Sequence, residues 1–326
     1  MKKIQIVLTA AFLVAVTMQS CSKKEQGCND SAACNFNADA EENDGSCTYA
    51  TKWYQDSDGD GLGDANASLE ACDKPTGYVA NDDAPAAPTH SFSRTQVPIM
   101  HKITGETCYY CGDWGWQAWI DLADDFAGTA FRWANYGDGF SNNYFRNQEL
   151  DATNTVMDAM ENMFEDGGGK PNFSTNGVDY STSSADAKAA AQASLSVTPD
   201  VAGTFTSSID GGVLSLDAAV KFYASATGEH WIGAYVVENN VSGPQSGPIG
   251  ANGNVDHHFV MRGSMSNSPW GVQLVASGAS ADEVVEKSFS IALPSTYNQA
   301  NLSYGIIIWK KVGSNYEYVN AYTTQN

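Results

Sequence analysis

The chain has 326 residues, with 38 acidic and 17 basic side chains and a formal net charge of -21. This balance excludes nucleic acid as a partner, because a phosphate-binding face needs clustered Lys and Arg. Hydrophobic residues make up 42% of the chain, which is enough for folded cores and excludes wholesale disorder. The seven cysteines are an odd number, so at least one lies outside any full set of disulfide pairs.

Residues 1–20 have the pattern of an export signal. Lys2 and Lys3 precede an apolar run at residues 4–18 that is too short for a comfortable membrane span. The pair Ser20–Cys21 then resembles the lipobox of bacterial lipoproteins. The resemblance implies cleavage before Cys21, acylation of its thiol, membrane lipid as a partner, residues 21–27 as a tether, and an outer-membrane location facing either side. The alternative is an ordinary cleaved signal that leaves Cys21 free.

Residues 28–50 form a cysteine module with almost no core. With Cys21 lipidated, six cysteines remain, and an exported compartment permits disulfides. A segment this small needs disulfide bonds to hold its fold together. It resembles a short module repeated in secreted and surface proteins of some Gram-negative bacteria. Three pairings are possible for the four cysteines of this acidic part of the chain, which are Cys28, Cys34, Cys47 and Cys72.

Residues 51–80 contain carboxylates at alternate positions, a spacing that can converge on one cation in a tight turn. The spacing predicts a structural calcium site, and the alternative is a solvated acidic loop. The pattern resembles the thrombospondin type 3 repeat more than an EF-hand, because Ala67 stands where an EF-hand needs Glu. The predicted ligands are Asp56, Asp58, Asp60, the Leu62 carbonyl and Asp64.

The sequence predicts a linker at residues 81–97 and a domain with a Cys-x-x-Cys motif at residues 98–198. A strand at residues 96–104 leads into Cys108 and Cys111, and apolar residues then recur at helical spacing up to Phe126. A strand at residues 129–136, a helix at residues 155–164 and a strand after Pro171 follow. This order resembles the thioredoxin fold, in which a cis-proline faces the two cysteines. The resemblance gives that place to Pro171.

The motif allows more than one role. At a helix N-terminus the macrodipole stabilises a thiolate, so Cys108 would be the nucleophile and Cys111 the resolving thiol of a redox pair. Tyr109 and Tyr110 replace the Gly-Pro usual between thioredoxin cysteines, which favours a structural or vestigial disulfide. A zinc half-site lacks a second pair at suitable spacing. A ligand platform could be formed by Trp114, Trp116, Trp119 and Trp133. Core packing is favoured instead, with Trp116 and Trp119 on the packing face of the helix.

Residues 199–326 contain seven short β runs separated by Gly, Asn, Ser and Pro. This spacing predicts an antiparallel β-sandwich. A transmembrane barrel is the alternative, but a lipid anchor makes a span redundant and the alternation is irregular.

A wider resemblance covers residues 97–326. The segments around Tyr235 to Asn240, Gln245 and Asp256 to Arg262 are similar to the outer-membrane-protein-28-related lipoprotein family, and Gly169 to Pro171 agree. The resemblance implies a thioredoxin-like domain followed by a β-sandwich in outer-membrane or surface material. It also implies a candidate adhesin or receptor without a settled ligand.

His257, His258 and Arg262 suggest a ligand or metal site. Adjacent histidines on one strand point to opposite faces, so they cannot share a metal without a bulge. We therefore favour a structural pair of Arg262 with Glu238 on neighbouring strands. No Ser-His-Asp arrangement, paired catalytic carboxylates or phosphate loop is found.

The sequence therefore predicts a multidomain α+β chain: a stapled stalk, a thioredoxin-like α/β domain and a β-sandwich. The predicted function is binding of an unknown protein or glycan at the outer membrane, with structural calcium and no organic cofactor. Catalysis is disfavoured. The alternative is an exported thiol-disulfide oxidoreductase that uses Cys108 and Cys111.

Overall fold

The computed structural model describes residues 24–56, 63–80, 90–137, 139–150, 156–165, 169–266 and 268–325. The chain divides into two compact units, residues 1–89 and residues 90–326. Of the described residues, 41% lie in strands and 16% in helices. No helix in this part of the chain combines the length and hydropathy that a membrane span requires.

The first unit is built from short strands and disulfides. Its buried apolar side chains, within the described ranges, are Cys28 and Ala33, so the core contributes little to its stability. The disulfides Cys28–Cys47 and Cys34–Cys72 hold it together. The strands form a parallel pair β1–β2 and a sheet of order β4-β3-β5. They are β1 (Gln26–Gly27), β2 (Glu42–Asn43), β3 (Thr51–Gln55), β4 (Asp64–Ala71) and β5 (Tyr78–Val79).

The second unit combines three helices with the remaining described strands. The helices are α1 (Trp114–Asp125), α2 (Val156–Phe164) and α3 (Ser184–Ser194). The strands are β6 (Ile99–Thr104), β7 (Phe131–Tyr136), β8 (Asn172–Thr175), β9 (Val178–Asp179), β10 (Val201–Asp210), β11 (Val213–Phe222), β12 (Ala226–Thr227), β13 (His230–Glu238), β14 (Val241–Gly243), β15 (Val255–His257), β16 (Val260–Ser264), β17 (Val272–Val275), β18 (Gly278–Ala279), β19 (Val284–Ala292), β20 (Leu302–Val312) and β21 (Asn315–Thr323).

A nine-stranded sheet organises this unit. Its order is β21-β20-β13-β16-β7-β6-β8-β9, and β17 also pairs with β13. The β6–β7 and β7–β16 pairs are parallel. A second sheet has the order β10-β11-β19. Two short antiparallel pairs, β12–β18 and β14–β15, complete the described strands.

Both faces of the large sheet are buried, as the period of two along β20 illustrates. Ile306 and Ile308 pack in a core shared with Leu214 and Leu216 of the three-stranded sheet. Trp309, on the alternate face, packs in a second core with aromatic and aliphatic side chains of the helices. One face is therefore sandwich-like and the other is covered by helices.

The prediction of a separate thioredoxin-like α/β domain at residues 98–198 is wrong. The described chain is mostly β, and the strands of this region continue the sheet of the C-terminal part. Ala134 of β7 pairs with Val260 of β16, so the open edge of β7 is covered by a distant strand. By contrast, each of the seven predicted C-terminal runs contributes to a strand.

Candidate functional site

The candidate site lies where β6 passes into α1. Cys108 and Cys111 form a disulfide in this connection. Their residues are 2% and 0% exposed, and the backbone N–H of Cys111 donates to Cys108 Sγ over 3.2 Å. The short ring thus fixes the loop that presents Tyr109 and Tyr110.

The Lys170–Pro171 segment packs against this disulfide. The peptide between the two residues is cis, and Cys108 Sγ lies 3.5 Å from the Lys170 carbonyl oxygen. A Cβ at Gly115 would lie 2.3 Å from Pro171 Cγ, so only glycine permits this approach at the start of α1. Lys170 also forms an ion pair with Glu161 of α2. The loop is therefore held from the α2 side as well.

Residues Gln245 and Ser246 form hydrogen bonds to the other side of the loop, and we call these contacts the Gln245 clasp. Gln245 Nε2 donates to the carbonyl oxygens of Gly105 and Cys108, at 3.2 and 3.1 Å. The Ser246 N–H donates to the Glu106 carbonyl over 2.7 Å. A Cβ at Gly112 would lie 1.8 Å from the Ser246 oxygen. This clasp covers the disulfide and excludes any side chain at Gly112.

Three aromatic side chains around the disulfide are exposed, and we call them the aromatic surface: Tyr109, Tyr110 and Trp114. Their exposures are 57%, 59% and 41%. The two tyrosine rings meet edge to face at 5.7 Å. The prediction that Trp116 and Trp119 pack from the helix is confirmed for Trp119, which is buried, while Trp116 is half-buried; Trp133 is buried on strand β7. Trp114 remains exposed at the start of α1.

A buried amine lies on β6 behind α1. Lys102 is 3% exposed and borders a cavity of about 10 Å³ with Trp116, Tyr136 and His258, which is room for about one water molecule. Its Nζ makes no ion pair with any described side chain and lies 5.7 Å from the centroid of the Trp116 ring. Burial lowers the pKa of Lys102 to about 7. Sequence reasoning missed this residue, although a charged residue within an apolar strand could have signalled it.

The two adjacent histidines contact one helix side chain. Strand β15 ends at His257, and the rings of His257 and His258 lie edge-on to Trp116 at 5.2 and 6.2 Å. His257 Nε2 donates to the Gly243 carbonyl, so Nδ1 accepts from the Tyr136 hydroxyl at 2.5 Å. Burial lowers the pKa of His257 to about 3, which keeps the ring neutral.

The predicted pair of Glu238 and Arg262 is confirmed. Arg262 Nε donates to Glu238 Oε2 over 2.8 Å between β13 and β16, and both side chains are buried. The Asn298 N–H donates to Glu238 Oε1, and the Tyr297 ring lies 4.7 Å from the guanidinium. We interpret this network as structural, because the charges of Glu238 and Arg262 are paired with each other and contact neighbouring residues of the same unit.

The predicted calcium loop and anchor are described only in part. Cys21, Asp58, Asp60 and Leu62 lie outside the described residues. Gln55 of β3 pairs with Asp64 of β4, so the first and last predicted ligands lie at the two ends of one hairpin connection. Within the described ranges, no group of three His, Cys, Asp or Glu side chains could hold a metal ion.

Comparisons with known proteins give a fold but no family. No protein-family model matches the chain, and no curated protein matches its sequence. HBP35 of Porphyromonas gingivalis is similar in structure, with a TM-score of 0.56 and 15% identity, over 72% of this chain and 76% of that chain. A domain of the outer membrane lipoprotein Omp28 from Porphyromonas gingivalis also matches, with a TM-score of 0.27 and 12% identity, over 40% of this chain and 89% of that domain. The first likeness shows a shared fold, and the second is too slight to show one.

Proposed function

We propose that this chain is an exported outer-membrane lipoprotein that binds a partner at the cell envelope through the aromatic surface. The observation that carries the proposal is the contrast within one loop: Tyr109 and Tyr110 are more than half exposed, while the disulfide between them and the core is buried. Aromatic side chains are enriched at interfaces, where they supply much of the binding energy.

The rigidity of the loop supports binding. The disulfide, the Pro171 contact and the Gln245 clasp hold the tyrosine-bearing backbone before any partner arrives. A preformed surface loses less conformational entropy when it binds, which leaves more of the contact energy as affinity. Two tyrosines add large contact area with few rotatable bonds.

The binding proposal is tested with the chain of residues 22–326 immobilised and exposed to a cell-envelope extract. We expect specific capture by the unchanged chain and its loss in the double variant Tyr109→Ala/Tyr110→Ala. Phe36→Ala is the matched control, because Phe36 is 46% exposed and belongs to the first unit. Equal capture by all three proteins would refute the role of the aromatic surface.

Anchoring through Cys21 is the second part of the proposal. It is supported by the apolar run and the Ser20–Cys21 pair, and acylation holds a protein stably on a bilayer only when two or more chains are present. We expect cells that make the full chain to incorporate labelled palmitate and Cys21→Ser to abolish it. Surface protease treatment of intact cells then distinguishes the cell surface from the periplasmic face.

Structural calcium is the third part. The acidic connection between β3 and β4 offers alternate carboxylates, and its ends are held together by the Gln55–Asp64 pair. Isothermal titration should detect calcium binding that Asp58→Ala and Asp60→Ala remove and that Asp217→Asn, an exposed site on β11, preserves. No binding heat in the unchanged chain would exclude the site.

Thiol-disulfide exchange by Cys108 and Cys111 is the second candidate function. The observation that favours it is the proximity of Cys108 Sγ to the Lys170 carbonyl beside Pro171. Burial of both cysteines disfavours it, because exchange requires a thiolate to reach a sulfur atom. A reduction potential below about -300 mV would fit a structural bridge. A potential in the range of the oxidoreductases, with insulin reduction lost in Cys108→Ser, would favour exchange.

A further inference from the structure

A groove with a volume of about 560 Å³ lies between α1 and α3, and Trp114 is one of its lining residues. Helix α1 contributes Trp114, Gln117 and Asp121 to its wall, and α3 contributes Ser184 and Lys188. The volume falls within the range of small-ligand sites. The groove therefore extends the aromatic surface into a concave region with side chains of different chemistry.

The polar side chains of the groove offer both donors and acceptors. Gln117 Nε2 donates to Asp121 Oδ1 over 2.7 Å. Lys188 Nζ donates to Asp125 Oδ2 over 2.6 Å, which neutralises one charge of each sign. The Ser184 hydroxyl can donate or accept, the Gln117 carbonyl oxygen accepts, and a carboxylate accepts at several lone pairs. The lining thus suits a ligand that carries many neutral hydroxyl groups.

Trp114 adds a flat apolar surface to the lining of the groove. Its indole lies 6.4 Å from the Phe173 ring, and it is 41% exposed, whereas Trp119 of the same helix is buried. An exposed indole beside planar polar side chains is the arrangement that matches a pyranose ring, whose C–H groups form an apolar face and whose hydroxyls point outward from its edge.

We infer that this groove binds a short neutral oligosaccharide. A pyranose face stacks on Trp114, and the hydroxyls of the sugar bond to Gln117, Asp121 and Ser184. Acidic glycans are disfavoured, since the chain carries a net charge of -21 and Asp121 lies in the groove. This inference rests on the proposed binding function and names a ligand class for one part of the aromatic surface.

Isothermal titration of residues 22–326 with neutral trisaccharides (maltotriose, cellotriose, chitotriose and mannotriose) tests the inference. At least one sugar should bind, and Trp114→Ala should weaken its affinity about tenfold, the scale of one lost stacking contact. Asp121→Asn should weaken it less. Asp217→Asn is the matched control, since Asp217 is exposed on β11 of the three-stranded sheet and does not line the groove. Circular dichroism checks that each variant is folded.

Salt dependence and a peptide probe separate a sugar from a cationic ligand. Affinity for a neutral sugar should be independent of added NaCl, whereas a trilysine peptide paired with Asp121 would lose affinity as salt rises. If no trisaccharide binds, or if only trilysine depends on Trp114, the saccharide assignment is overturned. Loss of partner capture in Tyr109→Ala/Tyr110→Ala alongside such a result would leave the proposed binding function standing.

Discussion

Tyr110 and Cys111 are adjacent in the chain, yet Tyr110 is 59% exposed and Cys111 is fully buried. The contrast arises because the Cys108–Cys111 bridge draws the backbone against Lys170 and Gln245, which directs the tyrosines to solvent. Both tyrosine rings are therefore held outward by a fixed loop. That relationship underlies the proposed binding function.

The buried ion pair should show its structural role when one partner is removed. We expect Arg262→Met to lower the free energy of unfolding by about 3–5 kcal/mol, because Glu238 would be left as an uncompensated buried charge. Urea denaturation followed by circular dichroism measures the change. Arg262→Met/Glu238→Leu should recover much of it. A single variant as stable as the unchanged chain would contradict the network described here.

The lowered pKa of Lys102 implies a specific dependence of the free energy of unfolding on pH. Its pKa falls from 10.5 in the unfolded chain to about 7 in the folded one, so between these values the unfolded state binds more protons. Stability from this group therefore rises as pH rises from about 7 to 10.5. Below about pH 7 the fold bears the full free-energy cost of burying the charged Lys102 amine. Among its neighbours, His257 has its pKa lowered to about 3 and Tyr136 has its pKa raised well above 10, so neither titrates in the lower part of this window.

The substitution Lys102→Met should flatten this pH dependence. We also expect it to stabilise the fold at neutral pH by on the order of 3 kcal/mol, because the unpaired amine is replaced by an apolar side chain of similar length. Urea denaturation across the pH range provides the measurement. Lys188→Met serves as the control, since Lys188 is exposed and paired with Asp125. An unchanged slope in Lys102→Met would show that Lys102 is charged and solvated in the fold.

The first unit should depend on its disulfides. Cys34→Ser/Cys72→Ser removes the bridge between the predicted cysteine module and the β4-β3-β5 sheet. We expect a loss of about 2–5 kcal/mol in the stability of this unit and faster cleavage by a protease. Cys108→Ser/Cys111→Ser, in the other unit, is the matched control. Equal protease resistance in the two double variants would show that the first unit folds without its staples.

Local patterns predicted part of the second unit, including helices α1 and α2 and the strands of the seven C-terminal runs. They missed α3 and the short strands β9, β12, β14, β15, β17 and β18. The helix after the Cys-x-x-Cys motif follows from apolar residues at helical spacing, and the seven C-terminal runs follow from β-forming residues between turn formers. Both signals depend only on neighbouring residues. The prediction of a thioredoxin-like domain was wrong because it depended on which strands pair with each other. Ala134 and Val260 are 126 positions apart in the chain, yet β7 pairs with β16. Nothing in the sequence near β7 specifies that partner.

Only the disulfide of the site and the proline beside it could be predicted from the sequence. Cys108, Cys111 and Pro171 were identified from spacing and resemblance. The clasp by Gln245 and the burial of Lys102 depend on contacts between distant segments, which periodicity does not encode. Helix α3 was also missed, because its Ala-rich sequence has little amphipathic contrast, although Ser183 caps it by accepting from the Asp186 N–H.

Photo-crosslinking in living cells tests the binding function most directly. The full chain carries p-benzoylphenylalanine in place of Tyr110, Trp114 or Phe36, one position at a time. We expect a discrete crosslinked product from Tyr110 and Trp114 and none from Phe36, since the first two belong to the aromatic surface. Absence of a product at Tyr110 and Trp114, or the same product at all three positions, would contradict binding through this surface.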